Sequence, residues 1–210
     1  IKMLKKLTLL LVGIGMGFAQ FTWAAGNPEK GKALYAVCVA CHGPDGAGNK
    51  ALNSPRIAGQ EIWYLERQLK NFKTGVRGAN SKDVYGMRMR PMAMTLPNDQ
   101  AIADVAAYVN GLKAKPPVAK IKGDMSAGKA AYMICQTCHG ANGEGNKALN
   151  APKLINQQDW YMVRQLKGFK EGLRGTHPKD VYGMQMRPMS LTLTDDKAIN
   201  NVVSYIVTFK

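Results

Sequence analysis

The strongest constraint on this chain is that it repeats itself. Residues 38–112 align without a gap on residues 135–209, and 41 of the 75 aligned positions are identical. Each copy of such a repeat is one structural unit, so the 210 residues predict two tandem domains rather than one large domain. Pro116 and Pro117, set among lysines, indicate an extended linker between the copies. We therefore expect a first domain over residues 26–117 and a second over residues 118–210.

The first 25 residues have the pattern of an export signal. Lys2, Lys5 and Lys6 precede an apolar run from Leu7 to Phe21, and small residues follow it. This pattern is typical of a signal peptide, and the run is shorter than the ~20 apolar residues of a spanning helix. Two outcomes stay open: residues 1–25 are a signal peptide that is removed, or an N-terminal hydrophobic helix that anchors the protein to the inner membrane. Both place the two copies in the periplasm.

The charge of the chain narrows the choice of partner. Lys and Arg number 29 against 14 Asp and Glu, a formal net charge of +15. The leader holds three of these charges and each copy holds six, from 13 basic and 7 acidic side chains. Such a charge favours nucleic acid, an anionic membrane surface or an acidic protein as partner. We exclude nucleic acid because the chain is exported and its basic residues are evenly spread.

Both copies are predicted to be helical, and the fold class is therefore all-α. Apolar residues recur at helical spacing in three segments of each copy, and no strand pattern of useful length is present. In the first copy the segments run from Asn27 to Cys38, Glu61 to Thr74 and Asp99 to Leu112. In the second copy the first segment begins near Ser126, and the other two run from Asp159 to Glu171 and from Asp196 to Phe209. Residues 43–59 are rich in Gly, Pro and Asn, which predicts an irregular loop.

Two pairs of repeat-related residues predict how the helices of one copy meet. Tyr108 and Tyr205 lie in the last helix of each copy, and Gly31 and Gly128 lie in the first. We expect each tyrosine to pack the last helix on the first one, where the glycine permits a close approach.

Each copy carries one Cys-x-x-Cys-His motif. The residues are Cys38, Cys41, His42, Cys135, Cys138 and His139. Two thiols one helical turn apart can bond to the two vinyl groups of haem, and the adjacent imidazole then lies beneath the porphyrin as an iron ligand. The motif therefore predicts two covalently bound haem c groups, one in each copy.

Three other interpretations of these cysteines are weighed against haem. One zinc ion shared by all four would link the two copies and leave both histidines unexplained. A thioredoxin-like dithiol would follow a strand, and the sequence predicts none. A disulfide between Cys38 and Cys41 would close a strained, tight loop. Haem attachment uses both cysteines and the histidine, and it agrees with the export signal.

The sixth iron ligand is sought among the methionines. A thioether is a weak donor that raises the reduction potential of a haem, although a methionine also serves as flexible core filling. A ligand shared by both copies must recur at the repeat offset. Three pairs do so: Met87 and Met184, Met89 and Met186, and Met92 and Met189. The proline before Met92 and Met189 would stiffen a ligand loop there.

Taken together, each copy resembles a class I cytochrome c module, and the pair resembles the dihaem cytochrome c4 family. The resemblance covers essentially the whole chain after the leader. It rests on the doubled Cys-x-x-Cys-His-Gly motif, and in the first copy on Pro55, Gly59-Gln60, Trp63-Tyr64-Leu65, Gln68-Leu69, Phe72, Gly75-x-Arg77, Met89 and Leu96. The second copy departs from the pattern at Asn156, which stands where the first has Gly59.

The resemblance implies both a ligand set and a function. In that family the ligand methionine precedes by seven positions the leucine that leads into the last helix, which implies Met89 and Met186, with Met92 and Met189 as the second choice. The implied function is an electron carrier, not an enzyme, that takes single electrons from the cytochrome bc1 complex to a cbb3-type cytochrome c oxidase. Two alternatives are a cytochrome subunit permanently bound to a dehydrogenase or oxidase, and a dihaem peroxidase.

Four arginines are candidate partners of the haem propionates. They are Arg77, Arg90, Arg174 and Arg187. A guanidinium matches the geometry of a carboxylate, but a solvated basic surface accounts for these residues equally well.

Overall fold

A computed structural model describes residues 25–210 of the chain. This part is helical and holds no strand beyond two isolated bridges, Asn49 with Ser54 and Asn146 with Ala151. The leader, with the predicted hydrophobic helix, lies outside the described residues except for Ala25. The helices are α1 (Pro28–Leu34), α2 (Ala36–His42), α3 (Ile62–Lys73), α4 (Val84–Met94), α5 (Asp99–Gly111), α6 (Met125–His139), α7 (Asp159–Lys170), α8 (Val181–Leu191) and α9 (Asp196–Ile206).

The all-α prediction is confirmed, and the predicted helices lie close to their predicted positions. One segment differs, because the helix predicted from Asn27 to Cys38 is divided at Tyr35 into α1 and α2. Asn27 caps α1 by accepting from the main-chain N–H groups of Glu29 and Lys30. The start of α6 was predicted at Ser126, but Asp124 is the cap and accepts from the N–H of Ser126. Between residues 25 and 210, no helix is both long and apolar enough to cross a membrane.

Helices α4 and α8 differ from the expectation of a ligand loop, because the methionine-rich segments are helical. Asp83 and Asp180 start these helices, and each carboxylate accepts from the N–H three residues further on. Pro91 and Pro188 lie inside the helices. The carboxylates of Asp83 and Asp180 therefore pair one main-chain N–H group in the first turn of each helix. Both helices continue past the proline that had favoured a loop.

The predicted contact between the first and last helices is confirmed in both copies. A Cβ atom at Gly31 would lie 2.0 Å from the main-chain oxygen of Asp104 in α5, so only glycine permits this approach. At Gly128 the same atom would lie 2.2 Å from the oxygen of Asn201 in α9. Next to the first crossing, the ring of Tyr108 packs 5.3 Å from the ring of Tyr35, centre to centre.

The apolar core of each copy forms around its last helix. Ile102, Val105 and Val109 of α5 are at most 4% exposed. Tyr35, between α1 and α2, and Leu65 in α3 complete the core of the first copy. The last helix thus fixes α3 and the Cys-x-x-Cys-His segment relative to each other.

The two copies meet through reciprocal contacts, in which an arginine of α3 or α7 binds a loop of the other copy. Arg67 in α3 donates to Asn150 of the second copy, and its repeat partner Arg164 in α7 donates to Asn53 of the first. Contacts of residue i with j and of j with i are what an approximate two-fold axis produces. The interface therefore relates the two copies as near-equivalent halves.

Candidate functional site

The motif histidine of the first copy is arranged as a metal donor. His42 ends α2 and is 4% exposed. Its Nδ1 lies 2.8 Å from the main-chain oxygen of Pro55. A carbonyl only accepts, so Nδ1 carries the hydrogen and the lone pair is on Nε2. Nε2 is buried and has no hydrogen-bond partner, which fits an iron ligand.

The protonation state of His42 agrees with this role. Burial lowers the pKa of His42, and the hydrogen bond to Pro55 opposes this only in part. The imidazole is therefore neutral at pH 7 and keeps its lone pair. Metal-bound histidines commonly donate their second N–H to a carbonyl, which fixes the ring and its tautomer.

His139 repeats this arrangement in the second copy. It ends α6, is 8% exposed, and its Nδ1 lies 2.7 Å from the oxygen of Pro152. Burial lowers its pKa as well, against the hydrogen bond to Pro152 and the negative charge of Glu61. The structure thus brings both predicted histidines to buried positions with the same ring nitrogen hydrogen-bonded.

The first cysteine of each motif, Cys38 or Cys135, has a raised thiol pKa. Burial, with a smaller contribution from Cys41, raises the pKa of Cys38 to about 11, and burial raises that of Cys135 to about 11. A redox-active dithiol instead has a lowered pKa, because its thiolate is the nucleophile. Cys41 and Cys138 are exposed. The raised pKa values of Cys38 and Cys135 are therefore opposite to what a thioredoxin-like nucleophile has.

The zinc interpretation finds no support in the positions of the cysteines. Within residues 25–210, no three His, Cys, Asp or Glu side chains come together in a way that would hold a metal ion. Each motif instead lies at the C-terminal end of its own helix, α2 in the first copy and α6 in the second.

Each motif opens into a cavity lined mainly by apolar side chains. The first measures about 650 Å³ and is lined by Cys38, Cys41 and His42, with Leu65 and Phe72 among its walls. The second measures about 200 Å³ and is lined by the second copy's motif. Tyr64 and Tyr161 line both, so the cavities adjoin at the domain interface. A large apolar cavity beside the motif fits a flat, hydrophobic cofactor.

The cavities separate the three methionine pairs. Met89 and Met92 line the first cavity, as expected for residues three apart on one face of α4. Met87 is not among the lining residues and is 46% exposed. In the second copy Met186 and Met189 line the cavity, whereas Met184 does not and is 41% exposed. Two of the three candidate methionine pairs therefore line the cavities beside the motifs.

Two of the four candidate arginines meet at the domain interface. Arg77 is 6% exposed and donates to Gln68 at 2.6 Å, and Arg174 donates to Gln165 at the same distance. Weaker bonds of 3.3 and 3.4 Å cross between the copies. Burial first, and then the charge of Arg174, lower the pKa of Arg77. Arg77 is buried and Arg174 is half-buried, so this pair of cations fits anionic cofactor groups better than a solvated surface.

The Nε atoms of the candidate arginines point to the same conclusion. In Arg77, Arg90, Arg174 and Arg187 this atom is buried and has no hydrogen-bond partner. Buried donors are nearly always paired, so the atoms of Arg77 and Arg174, which line the cavities, are consistent with acceptors supplied by the cofactor. Arg90 and Arg187 line neither cavity, which sets them apart from this pair.

The sequence did not predict which polar residues join the copies. They are Asn53, Gln60, Arg67 and Gln68, with their repeat partners Asn150, Gln157, Arg164 and Gln165. One signal was available, because all four positions are identical in the two copies although they are polar. Identity of polar residues between repeats indicated a shared surface role, and the structure identifies that role as the interface.

Comparison with known proteins agrees with this arrangement. The sequence model of the family described as Cytochrome c matches twice, over residues 28–113 and 125–210. The chain is 36% identical to cytochrome c4 of Azotobacter vinelandii over 95% of each chain. It is 32% identical to a protein of Thiomonas intermedia named thiosulfate dehydrogenase electron acceptor, over 93% of this chain and 87% of that one. The crystal structure of reduced recombinant cytochrome c4 from Pseudomonas stutzeri superposes with a TM-score of 0.72 at 32% identity, covering 89% of this chain and all of that one.

Proposed function

The chain belongs to the cytochrome c family and binds two haem c groups covalently, and from this premise we propose that it carries single electrons between periplasmic partners. The observation that carries the proposal is the buried Nε2 of His42, which has no partner while Nδ1 is held by Pro55. His139 repeats the Nδ1 contact in the second copy. Each copy therefore offers one oriented imidazole beside two thiols.

We assign the residues that hold the haems as follows. Cys38 and Cys41 would bind the first haem covalently through thioether bonds, and Cys135 and Cys138 the second. His42 and His139 would each bind one of the two irons. Met89 and Met186 would supply the second protein ligand of each iron, supported by their place in the cavity lining and by the resemblance described above.

Arg77 and Arg174 would bind the carboxylates of the haems at the interface. The two guanidinium groups are linked through Gln68 and Gln165. The glutamines are neutral, so a bound carboxylate would supply the negative charge that offsets the cost of burying the Arg77 cation. The interface glutamines fix the orientation of both guanidinium groups at once.

The chemistry of such a site is electron transfer alone. A haem iron bound by both a histidine and a methionine would exchange one electron and would leave no position for a substrate. The protein keeps His42 neutral and oriented, surrounds the cofactor with apolar side chains, and places the two cavities side by side at the interface. Adjoining cavities support electron exchange between the two haems within one molecule.

For the partners, we propose the cytochrome bc1 complex as donor and a cbb3-type cytochrome c oxidase as acceptor. The similarity to cytochrome c4 supports a respiratory carrier. The excess of basic residues, evenly divided between the copies, suits docking to acidic partner surfaces. Export through residues 1–25 places this exchange in the periplasm.

A second candidate function is that of an electron acceptor for a periplasmic dehydrogenase. The observation in its favour is the 32% identity to the thiosulfate dehydrogenase electron acceptor over 93% of the chain. The two candidates differ in the donor and share the haem chemistry. Reduction of the purified protein by bc1 complex with quinol, compared with reduction by a thiosulfate dehydrogenase with thiosulfate, distinguishes them.

The test of the carrier function is a ligand-binding experiment on the purified holoprotein. We expect two haems per chain by mass, a low-spin spectrum in both redox states, and no spectral change of the reduced protein under carbon monoxide. A high-spin haem, carbon monoxide binding or peroxide turnover would instead indicate an open iron and a peroxidase.

A further inference from the structure

We propose that Glu61, at the start of α3 in the first copy, lowers the reduction potential of the haem in the second copy. The proposal rests on the assignment of His139 as an iron ligand. Glu61 acts through that ligand and is therefore a positioning residue, one that sets how strongly His139 donates to the iron. It makes the two haems unequal although the copies are alike.

The link between Glu61 and His139 is a single peptide group. The oxygen of Pro152 accepts from Nδ1 of His139 at 2.7 Å. The N–H of the same peptide belongs to Lys153 and donates to Oε2 of Glu61 at 3.1 Å. A carboxylate from one copy thus contacts the peptide that orients the histidine of the other copy.

The first copy has the same link with a neutral group at its end. The oxygen of Pro55 accepts from His42 at 2.8 Å, and the N–H of Arg56 donates to Oε1 of Gln158 at 2.8 Å. Gln158 and Glu61 occupy equivalent positions, since each directly precedes a helix, α7 or α3. The two sites therefore differ by one negative charge at matched positions.

This charge acts on the histidine in one direction. A carboxylate that accepts from an amide N–H polarises the peptide, so its oxygen becomes a stronger acceptor. The imidazole then gains electron density, and a more basic ligand stabilises the oxidised iron. The negative charge itself also favours the more positive, oxidised state. Both effects lower the reduction potential of the second haem relative to the first.

Two further pairs of charged residues near the two peptides are matched between the copies. Each link includes one basic residue, Arg56 or Lys153, whose side chain is turned to a main-chain oxygen. The loop after each histidine holds one acid, Asp45 or Glu144, which accepts from nearby main-chain N–H groups. One further charge is unmatched: Asp159, which directly follows Gln158, stands at the position of Ile62. Its carboxylate accepts from the main-chain N–H groups of Lys120, Ile121 and Trp160. Asp159 is present in every variant below, so a change of potential between variants reports the charge at positions 61 and 158.

The test exchanges the two residues in the holoprotein and measures both midpoint potentials. Glu61→Gln keeps the size of the side chain and an accepting oxygen but removes the charge. We expect the reduced form of the second haem to become about tenfold more stable, a rise of roughly 59 mV for one electron. Gln158→Glu is the matched variant, and we expect it to lower the potential of the first haem. Spectroelectrochemical titration gives the potentials, and haem methyl resonances assigned by their contacts to one copy identify each haem.

The double variant Glu61→Gln with Gln158→Glu sharpens the test, because it has the composition and net charge of the original chain. We expect the order of the two potentials to shift towards the reverse. An unchanged second-haem potential in Glu61→Gln, or a shift confined to the first haem, would overturn the proposal. The same samples report on the proposed function separately: a normal low-spin spectrum of two haems with unmoved potentials would contradict only the role of Glu61. Loss of the low-spin spectrum in the unsubstituted protein would contradict the carrier itself.

Discussion

Arg67 of the first copy donates two hydrogen bonds of 2.9 Å to Asn150 of the second, one to its side-chain oxygen and one to its main-chain oxygen. Asn150 has a φ of 55°, a left-handed conformation that asparagine tolerates better than most residues. The guanidinium also lies 4.5 Å from the ring centre of Tyr182. Arg164 makes the equivalent contacts to Asn53 and Tyr85. Two repeat-related clamps therefore join the copies.

Replacing one clamp is expected to weaken the interface. Arg67→Ala removes two charge-assisted hydrogen bonds and the contact with the Tyr182 ring, and we expect it to cost about 2 kcal/mol of unfolding free energy. Arg164→Ala should cost a similar amount, since its contacts are equivalent. Urea unfolding followed by haem absorbance measures the effect.

The control for both clamp variants is Lys179→Ala, at an exposed position. A substitution of this kind is expected to change stability by less than about 0.5 kcal/mol. Equal stability of Arg67→Ala and Lys179→Ala would show that the clamp does not hold the copies together.

The close approach of the first and last helices gives a second prediction. Gly31→Ala places a Cβ atom 2.0 Å from the oxygen of Asp104, and Gly128→Ala places one 2.2 Å from the oxygen of Asn201. These contacts force the helices apart, so we expect each variant to lose about 2 to 3 kcal/mol or more of stability. Thermal unfolding of the holoprotein measures the loss.

Gly111→Ala provides the matched control, because a Cβ atom there has no neighbour within 4 Å. Alanine has the higher helix propensity, so this variant should be neutral or slightly more stable. If Gly31→Ala behaves like Gly111→Ala, the helices tolerate separation and the close approach is not required.

The sequence was sufficient for the helices whose apolar residues recur at helical spacing and for the contact between the first and last helix. The glycine and tyrosine of that contact are local features that repeat at a fixed offset. The helix over residues 84–94 could not be predicted from the spacing of apolar residues. Gly86 and Pro91 favour a loop by propensity, but the Asp83 cap stabilises a helix. The main chain of Gly78 also packs closely against Gly86 in this helix. Tertiary packing here overrides local preference.

The candidate site was predictable to a different extent in its two parts. Spacing alone predicted Cys38, Cys41 and His42, because the chemistry needs them within one helical turn. The contribution of the other copy was not predictable, since Arg67 and Asn150 are 83 residues apart and become neighbours only when the copies pack. The choice between Met89 and Met92 likewise remains a prediction, because both side chains line the same cavity.

Electrostatics gives a third prediction about partner recognition. The two copies carry 13 basic and 7 acidic side chains each, and opposite charges attract over about 10 Å at an ionic strength of 0.1 M. Oxidation of the reduced protein by the anion ferricyanide should therefore slow as salt is added. Stopped-flow absorbance measures these rates.

The cation hexaammineruthenium(III) is the control oxidant for that experiment. Its reaction should become faster with added salt, because screening relieves the repulsion. The same salt dependence for both oxidants would show that the net charge does not act at the haem edges where electrons leave.

The most direct test of the whole account is the near-infrared absorption of the oxidised protein, where methionine sulfur bound to haem iron gives a distinct band. We predict that Met89→Ala removes this band from one haem and Met186→Ala from the other, while the exposed control variants Met87→Ala and Met184→Ala keep both. A band that survives in Met89→Ala and Met186→Ala but disappears in Met92→Ala and Met189→Ala would transfer the ligand role to the second pair. Absence of the band from the unsubstituted protein would contradict a dihaem carrier with histidine and methionine ligands.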